Sequence, residues 1–170
     1  MKCPDCGFEN IPGADVCESC GQSLVRAYVS EGKVSNSICE HSVEVLHPRV
    51  PVSVAPTDSV RRAIRRMAEH NVGAVLVLEE QKPVGIFTER DVLVKIGDDL
   101  ESPVSHYMTS NPQTLSQNDS VAYALHEMDV GGYRHLPIVD DSGNATGMVS
   151  VRDVLHYLCH LLNETKAHGA

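Results

Sequence analysis

A chain of 170 residues, 42% of them hydrophobic, can bury one ordinary core or two small ones, which excludes wholesale disorder. A formal net charge of −9 excludes a general attraction to nucleic acid or anionic membrane, though not a local basic pocket. With no Trp, two Phe and five Tyr, any core has to be built from Val, Leu, Ile, Ala and Met.

The opening "MKCPDCGF" has no apolar stretch and does not read as a signal peptide, and the run Val72–Leu78 is far short of the ~20 residues that span a bilayer. The expectation is a soluble cytoplasmic protein. Disulfides are disfavoured there, so paired cysteines read first as metal ligands. Cys3, Cys6, Cys17 and Cys20 form two Cys-x-x-Cys pairs with ten residues between them. Each pair is followed by a glycine, Gly7 and Gly21, which permits a turn with positive φ. Four thiolates make a closed tetrahedral shell suited to structural Zn²⁺, with no open position for catalysis. A redox pair is the competing reading, but redox pairs are rarely duplicated within loop residues. Residues 1–24 resemble the small zinc ribbons that end in "CxxCG". Between Met1 and Gly21 Lys2 faces Asp5, Glu9, Asp15 and Glu18, so the ribbon is expected to make a protein contact or cap the fold rather than bind nucleic acid.

Residues 25–46 are expected to be a linker, with "YVSEGKVSNS" exposed or a loose hairpin and "SICEHSVEVL" a short helix or strand docked on the main body. Cys39 and His41 lie too far from a second pair to suggest a metal site. Beyond them the chain repeats itself. A shift of 61 brings Pro51 onto Pro112, Asp58 onto Asp119, Ser59 onto Ser120, Ala63 onto Ala124 and Met67 onto Met128. One extra residue in "DDSGNA" makes the shift 62, and Gly85, Arg90 and Asp91 then meet Gly147, Arg152 and Asp153.

Each copy predicts the same elements. "VPVSV" and "PQTL" are short strands after proline. "DSVRRAIRRMAEH" and "DSVAYALHEMD" are amphipathic helices with Val60, Ala63, Ile64 and Met67, or Val121, Ala124, Leu125 and Met128, on one face. Thr57 or Asp58, and Asn118 or Asp119, are the expected N-caps. "AVLVLEE" and "HLPIVDD" read as buried strands, each followed by a turn and a second strand, "VGIFT" and "TGMVS"; a helix follows each aspartate. The arginines Arg61, Arg62, Arg65 and Arg66 lie off the apolar face, as a solvated surface or a contact for an acidic partner.

The repeat resembles a tandem pair of cystathionine-β-synthase (CBS) domains, a Bateman module. The resemblance is carried by "PVSVAPTDSVRRAIRRMAEHNVGAVLVLEE", "GIFTERDVL", "YMTSNPQTLSQNDSVAYALHEM", "YRHLPIVDD" and "GMVSVRDVL", over residues about 47 to 162. It implies an α+β fold in which two β-α-β-β-α repeats pack as a pseudo-twofold pair behind a small zinc ribbon. The expected division is a ribbon at 1–24, a linker at 25–46, CBS domains at 47–100 and 101–162, and a flexible tail at 163–170.

In "GIFTERD" and "GMVSVRD" a hydroxyl stands three residues before an aspartate, which is a capping-box pattern. The same turn suits a ligand. A carboxylate at a helix start matches the adjacent hydroxyls of a ribose, while the hydroxyl and helix N-terminal amides suit a phosphate oxygen. Gly85 and Gly147 are expected to leave a slot where a flat base passes. The resemblance marks this pattern as the adenosine-nucleotide signature. It implies that Asp91 and Asp153 hold ribose, that Thr88 and Ser150 hold ribose or phosphate, and that Arg134 and His135 lie by the phosphates in the second copy. Arg134 also reads as a solvated surface arginine. The base is expected against Val52, Ser53, Thr114 and Leu115, with Tyr133 stacking on it or lying in the core.

His156, Cys159 and His160 lack a fourth ligand, and no Ser/His/Asp or Cys/His constellation is evident, so a binding module is favoured over an enzyme. The expected function is an AMP-, ADP- or ATP-binding regulatory module that forms a homodimer, as the resemblance implies, and acts on an effector protein in trans. The alternatives are an NAD(H)- or S-adenosylmethionine-binding CBS module, and a transcription-associated adaptor working through its zinc ribbon.

Overall fold

A computed structural model describes residues 3, 6–11, 14, 16–21 and 33–167; residues 25–32 of the expected linker and the last three residues lie outside the described residues. Ahead of the repeat come helix α1 (Lys33–Glu40) and a 3-10 turn (Val43–Leu46). Lys33–Ser37, read from the sequence as linker or hairpin, is therefore helical. In the first copy β1 (Ser53–Val54), α2 (Val60–His70), β2 (Ala74–Glu79) and β3 (Lys82–Thr88) lead to α3 (Glu89–Asp91), which continues as a π-helical turn over Val92–Ile96. A second 3-10 turn (Val104–His106) and strand β4 (Thr109–Ser110) join the copies. The second copy follows with β5 (Leu115–Ser116), α4 (Val121–Gly131), β6 (His135–Val139), β7 (Ala145–Ser150) and α5 (Val151–Ala167). Residues 163–167 of the expected tail are part of α5.

The two copies build matching sheets. β1 runs parallel to β2 and β5 parallel to β6, while β3 and β7 return antiparallel. The register breaks between Val77 and Leu78 in one and between Ile138 and Val139 in the other, positions that correspond in the repeat. Val60, Ala63 and Met67 turn one face of α2 into the first core, and Val121, Ala124 and Met128 do the same from α4. Leu125, expected on that buried face, is exposed instead and lines an open groove. The α2 arginines are solvated: Arg61 meets Glu101 at 2.7 Å, Arg62 meets Asp58 at 3.4 Å and Arg65 meets Glu69 at 3.6 Å. Exposed pairs of this kind contribute about 0–1 kcal/mol each.

The caps differ from expectation by one residue. Ser59 and Ser120 are the N-caps, accepting from the amides of Arg62 at 3.3 Å and Tyr123 at 3.1 Å. Asp58 and Asp119 instead accept from the amides of Ala55 and Ser116, each at 2.8 Å, so each acid closes the turn before its helix. Asp and Ser are both strong capping residues, and the preceding turn decides which one caps.

Neither copy closes its core alone. Val43 and Leu46, which precede the first copy, are buried in the second core with Leu115, Val121, Leu136 and Ile138. Val104, which precedes the second copy, is buried in the first core with Val54, Val60, Val77 and Phe87. The backbone repeats the exchange: Ser42 bridges Ser120 as Ser59 bridges Pro103, and Arg49 bridges Met148 while β4 pairs with Gly85 and Ile86 of β3. The leading segments thus cross over, and a unit of about 60 residues, marginal by itself, borrows apolar surface from the other.

Removing two buried methyl groups by Val43→Ala is expected to cost about 2 kcal/mol. Amide hydrogen exchange should show the lost protection in β6 and β7 rather than in β2 and β3. Loss centred on β2 would contradict the exchange of segments.

Candidate functional site

The four cysteines expected to hold a metal converge. Cys3 Sγ lies 3.7 Å from Cys20 Sγ, Cys6 Sγ lies 3.6 Å from Cys17 Sγ, and all four sulfurs fall within 4.8 Å of one another. None is in a disulfide. Four sulfurs at about 2.3 Å from one tetrahedral ion stand about 3.8 Å apart, so this donor set fits Zn²⁺. Each pair sits in the same turn: Gly7 and Gly21 both have φ of 72°, and their amides return to the carbonyls of Cys3 and Cys17 at 2.9 Å. Only glycine takes that conformation without strain. Burial resists ionisation of Cys17, but backbone amides at Cys20 and Ser19, the Asn10 amide and Cys6 outweigh it and lower the thiol to about 6.

Asn10 escaped sequence reasoning because it stands in the loop between the pairs. It is buried; its Nδ2 donates to Phe8 O at 3.1 Å and Cys17 Sγ at 3.5 Å, and its Oδ1 accepts from the Glu18 amide at 3.0 Å. It orients a ligand from the outer shell.

In the repeat, the hydroxyl and the aspartate form the same clamp twice. Asp91 Oδ2 accepts from the Thr88 amide at 2.9 Å and hydroxyl at 2.7 Å; Asp153 Oδ2 accepts from the Ser150 amide at 2.7 Å and hydroxyl at 2.6 Å. In the first copy the Asp91 amide also donates to Thr88 Oγ1 at 3.4 Å, completing a capping box. One carboxylate oxygen is therefore consumed by the turn in each copy. The capping reading and the ligand reading coexist only through the other oxygen.

The other oxygen distinguishes the copies. Asp91 Oδ1 is held by Lys95 Nζ at 2.7 Å, and the same ammonium donates to the Tyr107 carbonyl at 2.9 Å. The residue matching Lys95 is Tyr157, whose hydroxyl meets His41 Nδ1 at 2.5 Å. Among the described residues, no hydrogen bond or ion pair engages Asp153 Oδ1. Lys95 was not singled out in the sequence, where an Asp-to-Lys pair four apart reads as an ordinary helix contact.

The strand register places the neighbouring residues. Ala74 pairs with Thr88 in the first copy where His135 pairs with Ser150 in the second. Gly73 and Arg134 precede them, their carbonyls accepting from the amides of Glu89 and Val151 at 3.0 Å each. Arg134 is exposed and forms no ion pair among the described residues. His135 is half-buried; burial lowers its pKa, with Asp153 opposing, Arg134 adding and Glu89 opposing. Glu89 of the first copy is thus among the charges that act on His135 of the second.

The remaining expected residues divide. Val52 is half-buried against the first core and its carbonyl accepts from the Leu76 amide at 2.9 Å, while Ser53 pairs with Leu76 in β1. Thr114 is half-buried, and Leu115 is a core side chain of the second copy, with only its backbone available to a ligand. Tyr133 is exposed beside Gly131, not in the core. The glycines do not leave an open slot. A Cβ on Gly85 would collide with the Met108 side chain, and one on Gly147 would meet Pro48 Cβ at 2.9 Å. The missing side chains admit residues of the crossing leading segments.

A depressed His135 pKa means that the unfolded chain, with a value near 6.5, binds more protons than the folded chain just below that pH. Stability is expected to fall as pH drops through 6.5 and to level off below the folded value. Melting temperature should therefore decline more steeply between about pH 7.5 and about pH 5 in the native chain than in His135→Gln. Equal slopes would remove the burial argument.

The model of the CBS domain matches residues 44–98 and 104–160. An uncharacterised 17.7 kDa protein of Acidianus ambivalens is 38% identical over 107 residues, 62% of this chain and 65% of its own length. The chain thus spans less than two thirds of that relative, and an Arabidopsis thaliana CBS domain-containing protein, CBSCBSPB3, is matched over 19% of its length at 36% identity. Among solved structures, the CBS domain NE2398 superposes with a TM-score of 0.65 at 31% identity, covering 70% of this chain and 98% of that one. The CBS domain protein PAE2072 from Pyrobaculum aerophilum, complexed with AMP, superposes with a TM-score of 0.63 at 27% identity, covering 71% and 99%. No helix among the described residues is long and apolar enough to cross a membrane. Two matched units, two like sheets with crossed leading segments and a doubled hydroxyl–carboxylate turn lead to one conclusion: this chain belongs to the CBS-domain family, as a tandem pair.

Proposed function

We propose that the chain is a non-catalytic regulatory module that binds an adenosine nucleotide in the cleft of its second copy and carries a structural Zn²⁺ on Cys3, Cys6, Cys17 and Cys20. The observation that carries the reading is that, among the described residues, one Asp153 carboxylate oxygen and the Arg134 guanidinium of the second copy have no hydrogen-bond or ion-pair partner. A vicinal diol engages the carboxylate and a phosphate engages the guanidinium, an arrangement that adenosine phosphates satisfy at both ends. Ser150 turns its hydroxyl toward the same turn, and His135 adds a donor. The AMP complex of PAE2072, a relative in fold and sequence, supports AMP as the first ligand to try. The unpaired Arg134 favours a phosphorylated ligand over S-adenosylmethionine.

In this reading the nucleotide acts by population shift: it favours one mutual orientation of the two copies, and an effector in trans reads that orientation. We further propose the division of the chain at 1–24, 25–46, 47–100 and 101–162, and a homodimer formed through the helices that follow each aspartate. Leu93 and Leu155, matching positions of the repeat, are 86% and 56% exposed on those helices, which supports an apolar face on each copy.

AMP is expected to raise the melting temperature of the native chain, and Asp153→Asn, which keeps the turn but presents an amide, should abolish the shift. Arg134→Ala should weaken AMP about 10- to 100-fold, the worth of one charge-assisted hydrogen bond. An unchanged AMP shift in Asp153→Asn, or equal affinity for AMP and adenosine, contradicts the assignment. For the metal, mass spectrometry of the native chain should find one zinc per chain, and Cys17→Ser should lose it while the CBS pair keeps its unfolding transition. Zinc retained in Cys17→Ser would reject the four-thiolate site.

A further inference from the structure

The two turns share one strand register, and the residues around them differ. Resting on the nucleotide reading above, we propose that Lys95 is a built-in occupant of the first cleft, so that the chain takes one adenosine ligand, in the second cleft, and leaves the first closed.

Neither oxygen of the first carboxylate is without a partner. Oδ2 is bound by the Thr88 amide and hydroxyl, and Oδ1 by the Lys95 ammonium at 2.7 Å. Asp91 is 7% exposed, and a neutral ribose diol that displaced Lys95 would strip a buried carboxylate of its counter-ion. Lys95 is itself anchored a second time, to the carbonyl of Tyr107, and the Tyr107 hydroxyl donates to Asp99 Oδ2 at 2.6 Å. The ammonium therefore bridges the carboxylate to the connection between the copies instead of swinging free. The π-helical turn over Val92–Ile96 lies in this stretch, whereas α5 runs as unbroken α-helix through the matching residues.

The phosphate end is also unfavourable in the first cleft. Gly73 and Ala74 stand where Arg134 and His135 stand in the second, so no cation faces the turn from that strand. Glu89, which matches Val151, puts a carboxylate oxygen within 3.2 Å of the position a Gly73 Cβ would take. A carboxylate at the place of a phosphate repels it. Four substitutions between the turns — Arg134 to Gly73, His135 to Ala74, Val151 to Glu89 and Tyr157 to Lys95 — separate an anion-accepting cleft from a self-satisfied one.

Calorimetric titration of the full chain with AMP tests this. The native chain should bind one AMP per chain, and Lys95→Met, which frees Asp91 Oδ1, should add a second, weaker class of site. Two AMP per native chain, or a single site that persists in Lys95→Met, overturns the proposal and leaves the nucleotide reading standing. Absence of AMP binding in both chains overturns the two together. Should Lys95→Met unfold, amine labelling of the native chain read by mass spectrometry decides the matter. Labelling of Lys95 is expected to stay unchanged on AMP saturation, and a several-fold acceleration would show that the ligand expels it.

Discussion

The crossing of the leading segments is the constraint on which the rest of this molecule depends. Val43 and Leu46 complete a core that begins some seventy residues later in the chain, and Val104 completes the core that precedes it. Because each copy supplies part of its neighbour's interior, the two cannot separate without exposing both cores. Their mutual placement is therefore a fixed feature and not a chance apposition of two lobes. The same crossing explains the glycines: Met108 and Pro48 lie on the leading segments, and they approach the sheets only because Gly85 and Gly147 carry no side chain.

Within that frame, the chemistry turns on how a carboxylate distributes two oxygens. The strand-to-helix turn takes Oδ2 in both copies, so each aspartate is first a structural residue, and the copies differ in what reaches Oδ1. In the first copy a lysine reaches it; in the second a tyrosine stands at the same place and bonds His41 instead. A motif that fits both copies equally thus describes the turn they share, and the neighbours that set its chemistry lie outside it.

The fold was legible because duplication makes a sequence its own control. Shifts of 61 and 62 residues aligned each strand and helix without knowledge of packing. What escaped was non-local. Nothing in the periodicity of "SICEHSVEVL" says that Val43 belongs to the second core, since docking on a distant sheet leaves no local signature. The caps were misplaced by one residue because Asp58 and Ser59 are both good caps, and the hydrogen bond from Ala55 to Asp58 selects between them. For the site, the paired hydroxyls and carboxylates, Arg134, His135 and the four cysteines stood out by residue type and spacing. Lys95 did not, because an acid four residues before a lysine is common on any exposed helix, and only the burial of Asp91 gives this pair its weight. Asn10 was equally invisible: an asparagine in a loop reads as a turn residue until its amide is seen beside a thiol.

The two aspartates also bear on different parts of the chain. Asp153 stands in the first turn of α5, and one turn further on Tyr157 meets His41, just beyond the end of α1; Ile38 of α1 packs on the same core. Asp153 therefore lies on the helix against which α1 is docked. Asp91, through Lys95, is tied to Tyr107 and so to the connection between the copies. The first clamp is thus tied to the connection between the copies, while the second sits at the start of the helix that packs against α1. A division of labour follows from one substitution at the same turn: an ammonium that closes a carboxylate in one copy, and a phenol that leaves the other open while it reaches toward the linker.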